Sequence, residues 1–179
     1  TDAEIRFSER FSYGFNAAFN SLNRRTESYS KPGGILDSII GDADNPGSKL
    51  DTGTYRFDMT LSNRFNYNLL TDNHNLNVMG LFEYNYNENN FYSLRSIGFP
   101  SDLLTTQSNA SEVTAATTTK NILTLVSYGV FADYDFKEKY LASASIRYDG
   151  SSNFGKDNQF GTFYSLSAGW NIAKEDFFN

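Results

Sequence analysis

Ile146-Arg147-Tyr148-Asp149-Gly150-Ser151-Ser152-Asn153-Phe154-Gly155, followed shortly by Gly161-Thr162-Phe163-Tyr164-Ser165-Leu166-Ser167-Ala168-Gly169-Trp170, alternates in character on both sides of a polar loop. Even positions carry Ala142, Ala144, Ile146 and Tyr148 on the first arm and Tyr164, Leu166, Ala168 and Trp170 on the second. Odd positions carry Ser143, Ser145 and Arg147, then Ser165, Ser167 and Gly169. In a strand, successive side chains point to opposite faces. One face of this pair therefore suits lipid and the other water, the pattern of a membrane β-barrel.

Working outward, four further stretches alternate in the same way. Ile5 to Phe19 sets Ile5, Phe7, Phe11, Tyr13 and Phe15 against Arg6, Ser8, Arg10 and Ser12. Thr54 to Leu69 sets Tyr55, Phe57, Met59, Leu61, Phe65 and Tyr67 against Arg56, Asp58, Thr60, Ser62 and Arg64. Leu76 to Glu88 and Leu123 to Phe136 repeat the pattern, giving six predicted strands. Two residues break it: Glu9 and Asn63 fall on the apolar side. A carboxylate facing hydrocarbon is costly, so Glu9 is expected below the bilayer or beside a bulge.

The connections also alternate. Segments 30–53 and 95–121 are long, Thr71 to His74 and Lys137 to Lys139 are short, and 150–160 is intermediate. Outer-membrane barrels have short periplasmic turns and longer extracellular loops. On that rule strands one, three and five run outward. Tyr67, Tyr134, Phe136, Tyr140 and Trp170 then gather at the periplasmic boundary, where amphipathic rings favour the headgroup level.

Composition agrees. Only 39% of the 179 residues are hydrophobic while 16% are aromatic, as expected of a wall whose faces meet different solvents. No run of about 18 apolar residues is present, which excludes a transmembrane helix, whereas a barrel strand needs only about 9–11 residues. A net charge of −6 argues against nucleic acid as a partner, because phosphate binding needs concentrated Lys and Arg. The absence of cysteine removes thiolate catalysis and cysteine metal sites. The single histidine, His74, sits in a short turn among Asp and Asn and is expected to be solvated. No enzymatic activity, metal or cofactor is expected. Asp42 to Gly47 departs from a calcium loop at Pro46 and at Gly53, where Glu is needed, and is expected to be loop only.

The last third of the chain carries a specific resemblance. Ser127-Tyr128, Tyr134 and Lys139-Tyr140 fit the form S-Y-x-x-x-x-x-Y-x-x-x-x-K-Y. Arg147, Asp149, Gly150, Ser151, Ser152, Phe154 and Gly155 fit R-x-D-G-S-S-x-F-G. Gly161, Phe163, Ser165, Ser167, Gly169 and Trp170 fit G-x-F-x-S-x-S-x-G-W, and Glu175 with Phe177-Phe178 follows. In these motifs the segment closely resembles the barrel of SusC/RagA-type TonB-dependent transporters. It departs from them at Tyr148, where the family often has Arg, and at Tyr164, where it often has Pro.

The resemblance implies an all-β, antiparallel transmembrane barrel of about 22 strands with a plugged lumen. Six strands cannot close such a barrel, so the chain is expected to be a fragment without the plug and the remaining strands. It implies the bacterial outer membrane, contact with its lipid, a SusD-like surface lipoprotein, TonB acting through the missing plug, and oligosaccharide or peptide cargo. A small complete barrel with a structural or adhesive role is the alternative. Physically, the Asp149 to Ser152 cluster is turn-forming, and a loop-shaping role is expected ahead of cargo contact. Arg6, Arg10, Arg56, Asp58 and Arg64 are expected to line the lumen, paired with one another or with plug carboxylates ahead of cargo.

Overall fold

The structure, a computed structural model, describes residues 1–40, 42–155 and 158–178. Lys156 and Asp157 of the motif loop, and the side chain of Phe178, lie outside that description. Seven antiparallel strands form one sheet in sequence order: β1 (Asp2–Arg6), β2 (Phe11–Ser30), β3 (Ser48–Leu70), β4 (His74–Ile97), β5 (Glu112–Phe136), β6 (Tyr140–Ser151) and β7 (Phe160–Trp170). A short helix, α1 (Ile35–Ile40), lies between β2 and β3. No described helix is long and apolar enough to cross a membrane.

The first predicted strand is in fact a hairpin. The chain bends at residues 7–10, and β1 folds back on β2 with Ile5 opposite Tyr13 and Ala3 opposite Phe15. Phe7 N–H and Ser8 N–H both donate to the Phe11 carbonyl, at 3.0 and 3.3 Å, while Phe11 N–H returns to Ser8 Oγ at 3.1 Å. Glu9 therefore sits in a tight turn and never faces hydrocarbon, which removes the misfit. The strand count rises from six to seven. Asn63 does stay on the apolar side, and Tyr13 Oη donates to its Oδ1 at 2.6 Å. A buried-side amide with a hydrogen-bond partner costs far less than a bare one.

Register confirms the two-faced wall. Val130, Ile146 and Tyr164 share a row, as do Ala132, Ala144 and Leu166, and Phe136, Tyr140 and Trp170. The intervening rows hold Phe131, Ser145 and Ser165, then Asp133, Ser143 and Ser167. Rings continue the apolar face across the sheet: Tyr13 lies 4.9 Å from Phe65, and Phe82 lies 5.2 Å from Tyr128. Tyr164 and Leu166 are 78% and 81% exposed. A water-soluble domain would hide such residues; on this wall they face lipid.

The chain divides into two compact units. Unit 1 comprises Thr1–Phe19, Asp58–Asn87 and Leu123–Asn179, and unit 2 comprises Asn20–Phe57 and Glu88–Ile122. Strands β2 to β5 run through both. These four strands have 20, 23, 24 and 25 residues, about twice the 9–11 that cross a bilayer. The long loops are consequently shorter than the sequence suggests, spanning 31–47 and 98–111.

Unit 2 has its own small interior. Asp37 Oδ2 and Oδ1 accept from Gly33 N–H at 2.9 Å and Gly47 N–H at 2.7 Å, closing the first long loop. Phe99, only 2% exposed, meets Tyr29 edge-on at 5.3 Å. Lys49 is buried, and its Nζ donates to Glu27 Oε2 at 2.9 Å and to the Thr105 carbonyl at 2.8 Å. A buried ammonium needs such partners to stay charged.

Candidate functional site

The polar face of unit 1 is built by alternation and held by short polar side chains. Thr60 Oγ1 donates to Asn85 Oδ1 at 2.7 Å, and Asn85 Nδ2 donates to Glu83 Oε1 at 2.8 Å. Asn87 Nδ2 donates to Asp58 Oδ1. Ser143 Oγ reaches Asp133 Oδ1 at 2.5 Å, and the hydroxyls of Ser145 and Ser165 are 2.7 Å apart. Those that join neighbouring strands are the unit of sheet stability. They also make that face hydrophilic.

The five predicted lumen residues are placed as follows. Arg64 lies beside Gly14 of β2 on the polar face. Asp58 shares that face of β3 and holds Asn87. Arg56 has the same strand parity and belongs to unit 2. Arg6, on the polar row of β1, pairs with Glu4 at 3.0 Å. Arg10 stands in the β1–β2 turn, where its carbonyl accepts Asn68 N–H at 2.7 Å. The strand expected to carry it is interrupted there.

The motif residues form a corner at the far end of β6 and β7. Arg147 Nη2 donates to Asp149 Oδ1 at 3.1 Å, two residues along the same face. Ser152 and Thr124 exchange bonds, Ser152 N–H to the Thr124 carbonyl and Thr124 N–H to Ser152 Oγ, both 2.9 Å. Ser151 Oγ accepts Asn153 N–H at 3.2 Å, and Gly155 O accepts Asn158 N–H at 2.9 Å. Any Cβ on Gly150 would overlap the Phe160 ring, which stacks on Tyr148 at 4.9 Å. Ser127, Arg147, Asp149, Phe154 and Phe163 line a recess of about 340 Å³ on the polar side, which Gly161 also borders.

At the opposite, short-turn end, Glu175 collects the rest of the motif. Its Oε1 accepts Tyr140 Oη at 2.8 Å and Trp170 Nε1 at 2.9 Å, and its Oε2 accepts Lys139 Nζ at 2.9 Å. These donors hold the Glu175 carboxyl below its ordinary value, Lys139 foremost, and the Lys139 ammonium is raised in return. Gly169 packs beside Leu141 one row away. Sequence reading recognised Lys139, Tyr140, Trp170 and Glu175 as motif members but had no means to see them converge. Spacing along a chain does not reveal a contact made across a strand and a turn.

His74, exposed as expected, has partners in the same region. Its Nδ1 is 2.7 Å from Tyr134 Oη, and its ring packs 5.0 Å from Phe136. It joins the aromatic girdle. In the Asp42 to Gly47 loop, Asp42 Oδ1 caps the N–H groups of Asp44 and Asn45 at 2.9 and 3.3 Å. The described residues hold no group of three or more potential metal ligands.

No protein-family model matches the sequence. Among curated proteins, the chain is 35% identical over 124 residues to TonB-dependent receptor P39 of Formosa agariphila, covering 68% of this chain and 12% of that protein. It is 50% identical over 54 residues to TonB-dependent receptor SusC of Bacteroides thetaiotaomicron, covering 30% of this chain and 5% of that one. The chain thus spans about an eighth or less of the length of these relatives. Among solved structures, that of the RagAB peptide transporter superposes with a TM-score of 0.86 at 23% identity, covering 97% of this chain and 19% of the other. The likeness in sequence is to receptors and the likeness in fold is to a transporter's barrel wall. From its two-faced strands, its motif corner and these relatives, the chain is similar in sequence to TonB-dependent receptors, SusC among them, and has the fold of part of an outer-membrane β-barrel.

Proposed function

We propose that the chain supplies wall and long loops to an active importer of oligomeric nutrients, glycan or peptide. The observation that carries this reading is the combination of a lipid-facing wall with 50% identity to SusC over 54 residues. In this reading the plug and the remaining strands come from sequence beyond residues 1–179. Energy reaches the plug through TonB, and a SusD-like lipoprotein covers the long-loop end. The RagAB relative is described as a peptide importer, which supports peptide as one of the two cargo classes. Arg6, Asp58 and Arg64 face the lumen, Arg56 continues their row on β3, and Arg10 stands at the rim. The Arg147–Asp149 corner and the two phenylalanines beside it face the same interior.

Deleting the gene for the parent protein tests the reading. Growth on one polymeric glycan or protein nutrient should be lost, with growth on its monomers kept. Undiminished growth on every such polymer would overturn import as the function.

A further inference from the structure

The two long loops of unit 2, residues 31–47 and 98–111, are joined to each other through their backbones. Gly98 N–H donates to the Gly47 carbonyl at 3.0 Å, and Phe99 N–H to the Pro46 carbonyl at 2.9 Å. Ser111 Oγ adds a bond to Asn45 Oδ1 at 3.0 Å. Gly98 has φ of 75°, and a Cβ there would overlap Ser111 Oγ, so glycine is what allows this approach. Gly47, also left-handed at φ 82°, passes the connection on, because its N–H donates to Asp37 Oδ1 of α1 at 2.7 Å. Helix, first loop and second loop thus form one run of hydrogen bonds.

A charge holds the second loop down further along. The Thr105 carbonyl accepts Lys49 Nζ at 2.8 Å. Lys49, with 6% of its side chain exposed, also pairs with Glu27 at 2.9 Å and lies 3.5 Å from Asp51 Oδ1. Tyr29 of β2 supports the same loop through the edge of the Phe99 ring. Closure also carries penalties. Ser96 Oγ at the root of the second loop and Gln107 Oε1 within it are buried without a protein partner, and the buried Asp51 Oδ1 accepts no hydrogen bond. Buried polar atoms and buried ions of this kind give up hydration that the closed form returns only in part. Opening restores water to Lys49, Asp51 and Gln107, whereas closure keeps the Lys49 bonds and the burial of Phe99. Few contacts on each side and opposing signs are the conditions under which a segment opens locally while its sheet stays folded. We infer that the two long loops are a single strap that opens and closes as one body, with Lys49 as its latch.

The test uses the intact parent protein in mild detergent, with hydrogen–deuterium exchange read on peptides covering 31–47 and 98–111 and on β6 and β7 as the reference. No cargo is added, so the result stands apart from the outcome of the growth experiment. Exchange by local opening tracks the population of the open form. Lys49→Met keeps the length of the side chain and removes its charge and donors. It should speed exchange in 98–111 by roughly tenfold or more, because bonds to a charged group are lost, and 31–47 should speed up in step. Ser96→Ala removes a partnerless hydroxyl and should slow exchange in both loops. The reference strands should be unchanged, and heat-modifiable mobility identical to wild type verifies that each variant is folded. Exchange in 98–111 equal to wild type in Lys49→Met would overturn the latch. A rise confined to 98–111 would overturn the single body. Should Lys49→Met not assemble, Glu27→Gln, which leaves Lys49 in place and removes one charge beside it, decides together with Ser96→Ala. The first should speed both loops and the second slow both, and any other pattern would overturn the strap.

Discussion

Glu175 shows how one side chain secures the short-turn rim. Three donors from two places in the chain, Lys139-Tyr140 and Trp170, converge on its two oxygens. All three favour the carboxylate over the acid, so the folded-state value lies below the ordinary 4.5. A depressed carboxylate contributes stability that is complete above its unfolded value and lost as pH falls through its folded one. Glu175→Gln should therefore lower the urea midpoint of the folded barrel near neutral pH. The gap to wild type should close below about pH 4.5 as the wild-type carboxylate takes up its proton; a gap independent of pH would show that shape alone matters. The neighbouring turn holds a second residue-scale feature. Lys137 and Glu138 have φ of 56° and 54°, and Lys139 N–H closes the turn onto the Phe136 carbonyl at 3.0 Å. That geometry is the hairpin turn with both central residues left-handed, normally made by Asn-Gly. Lys137→Gly should stabilise the protein by about 0.5–1 kcal/mol, since left-handed φ costs an L-residue about 1–2 kcal/mol and glycine loses part of that gain in entropy. Denaturant midpoints check the sign.

Strands were legible in proportion to the difference between their two solvents. Between Phe160 and Trp170, or Phe57 and Tyr67, one face meets lipid and the other water, so hydrophobicity alternates and the facing could be read residue by residue. Past Phe19 and Phe57 polar residues occupy both faces, the alternation fades, and the continuation of β2 and β3 reads as loop although the backbone ladder persists. The β1–β2 hairpin was hidden for the opposite reason. Phe7 and Phe11 keep the apolar rhythm across the turn, and the turn contains no Gly, Pro or Asn to mark it. Glu9, the residue that did not fit, was the only signal. Of the candidate site, the parity of Arg6, Arg56, Asp58 and Arg64 was readable, whereas the buried Lys49 and the Glu175 cluster depend on inter-strand register and were not. The facing itself is testable at this scale. Val130→Arg and Ile146→Arg place a cation on the Val130–Ile146–Tyr164 row, at a cost of about 2–4 kcal/mol near the bilayer midplane. Ser145→Arg adds the same charge on the opposite face, beside Ser165, where water is available. Insertion yield into lipid vesicles, read by heat-modifiable mobility, should fall for the first two and much less for the third. Equal losses would mean the faces are assigned wrongly.

For the whole molecule, the decisive fact is that the sheet is open. Among the described residues its order runs from β1 to β7 without the two ends pairing. In hydrocarbon, every backbone N–H and C=O must find a partner, because each unsatisfied group costs several kcal/mol. The 11 residues of β7 direct about half their backbone groups off the edge, as does any edge strand. Leaving them bare would cost tens of kcal/mol, more than the 5–15 kcal/mol by which a folded protein is usually stable. On the proposed reading, further strands close the wall in the membrane. The larger transporter barrel and the small complete barrel differ in where those strands come from. Residues 1–179 expressed alone and refolded into detergent or lipid should give no protease-protected, heat-modifiable monomer. The parent protein should give one several times larger than the 179-residue chain. A closed, protected monomer formed by residues 1–179 alone would reverse the assignment, because the chain would then have to pair its own edges and leave no room for a plug or a conducting lumen.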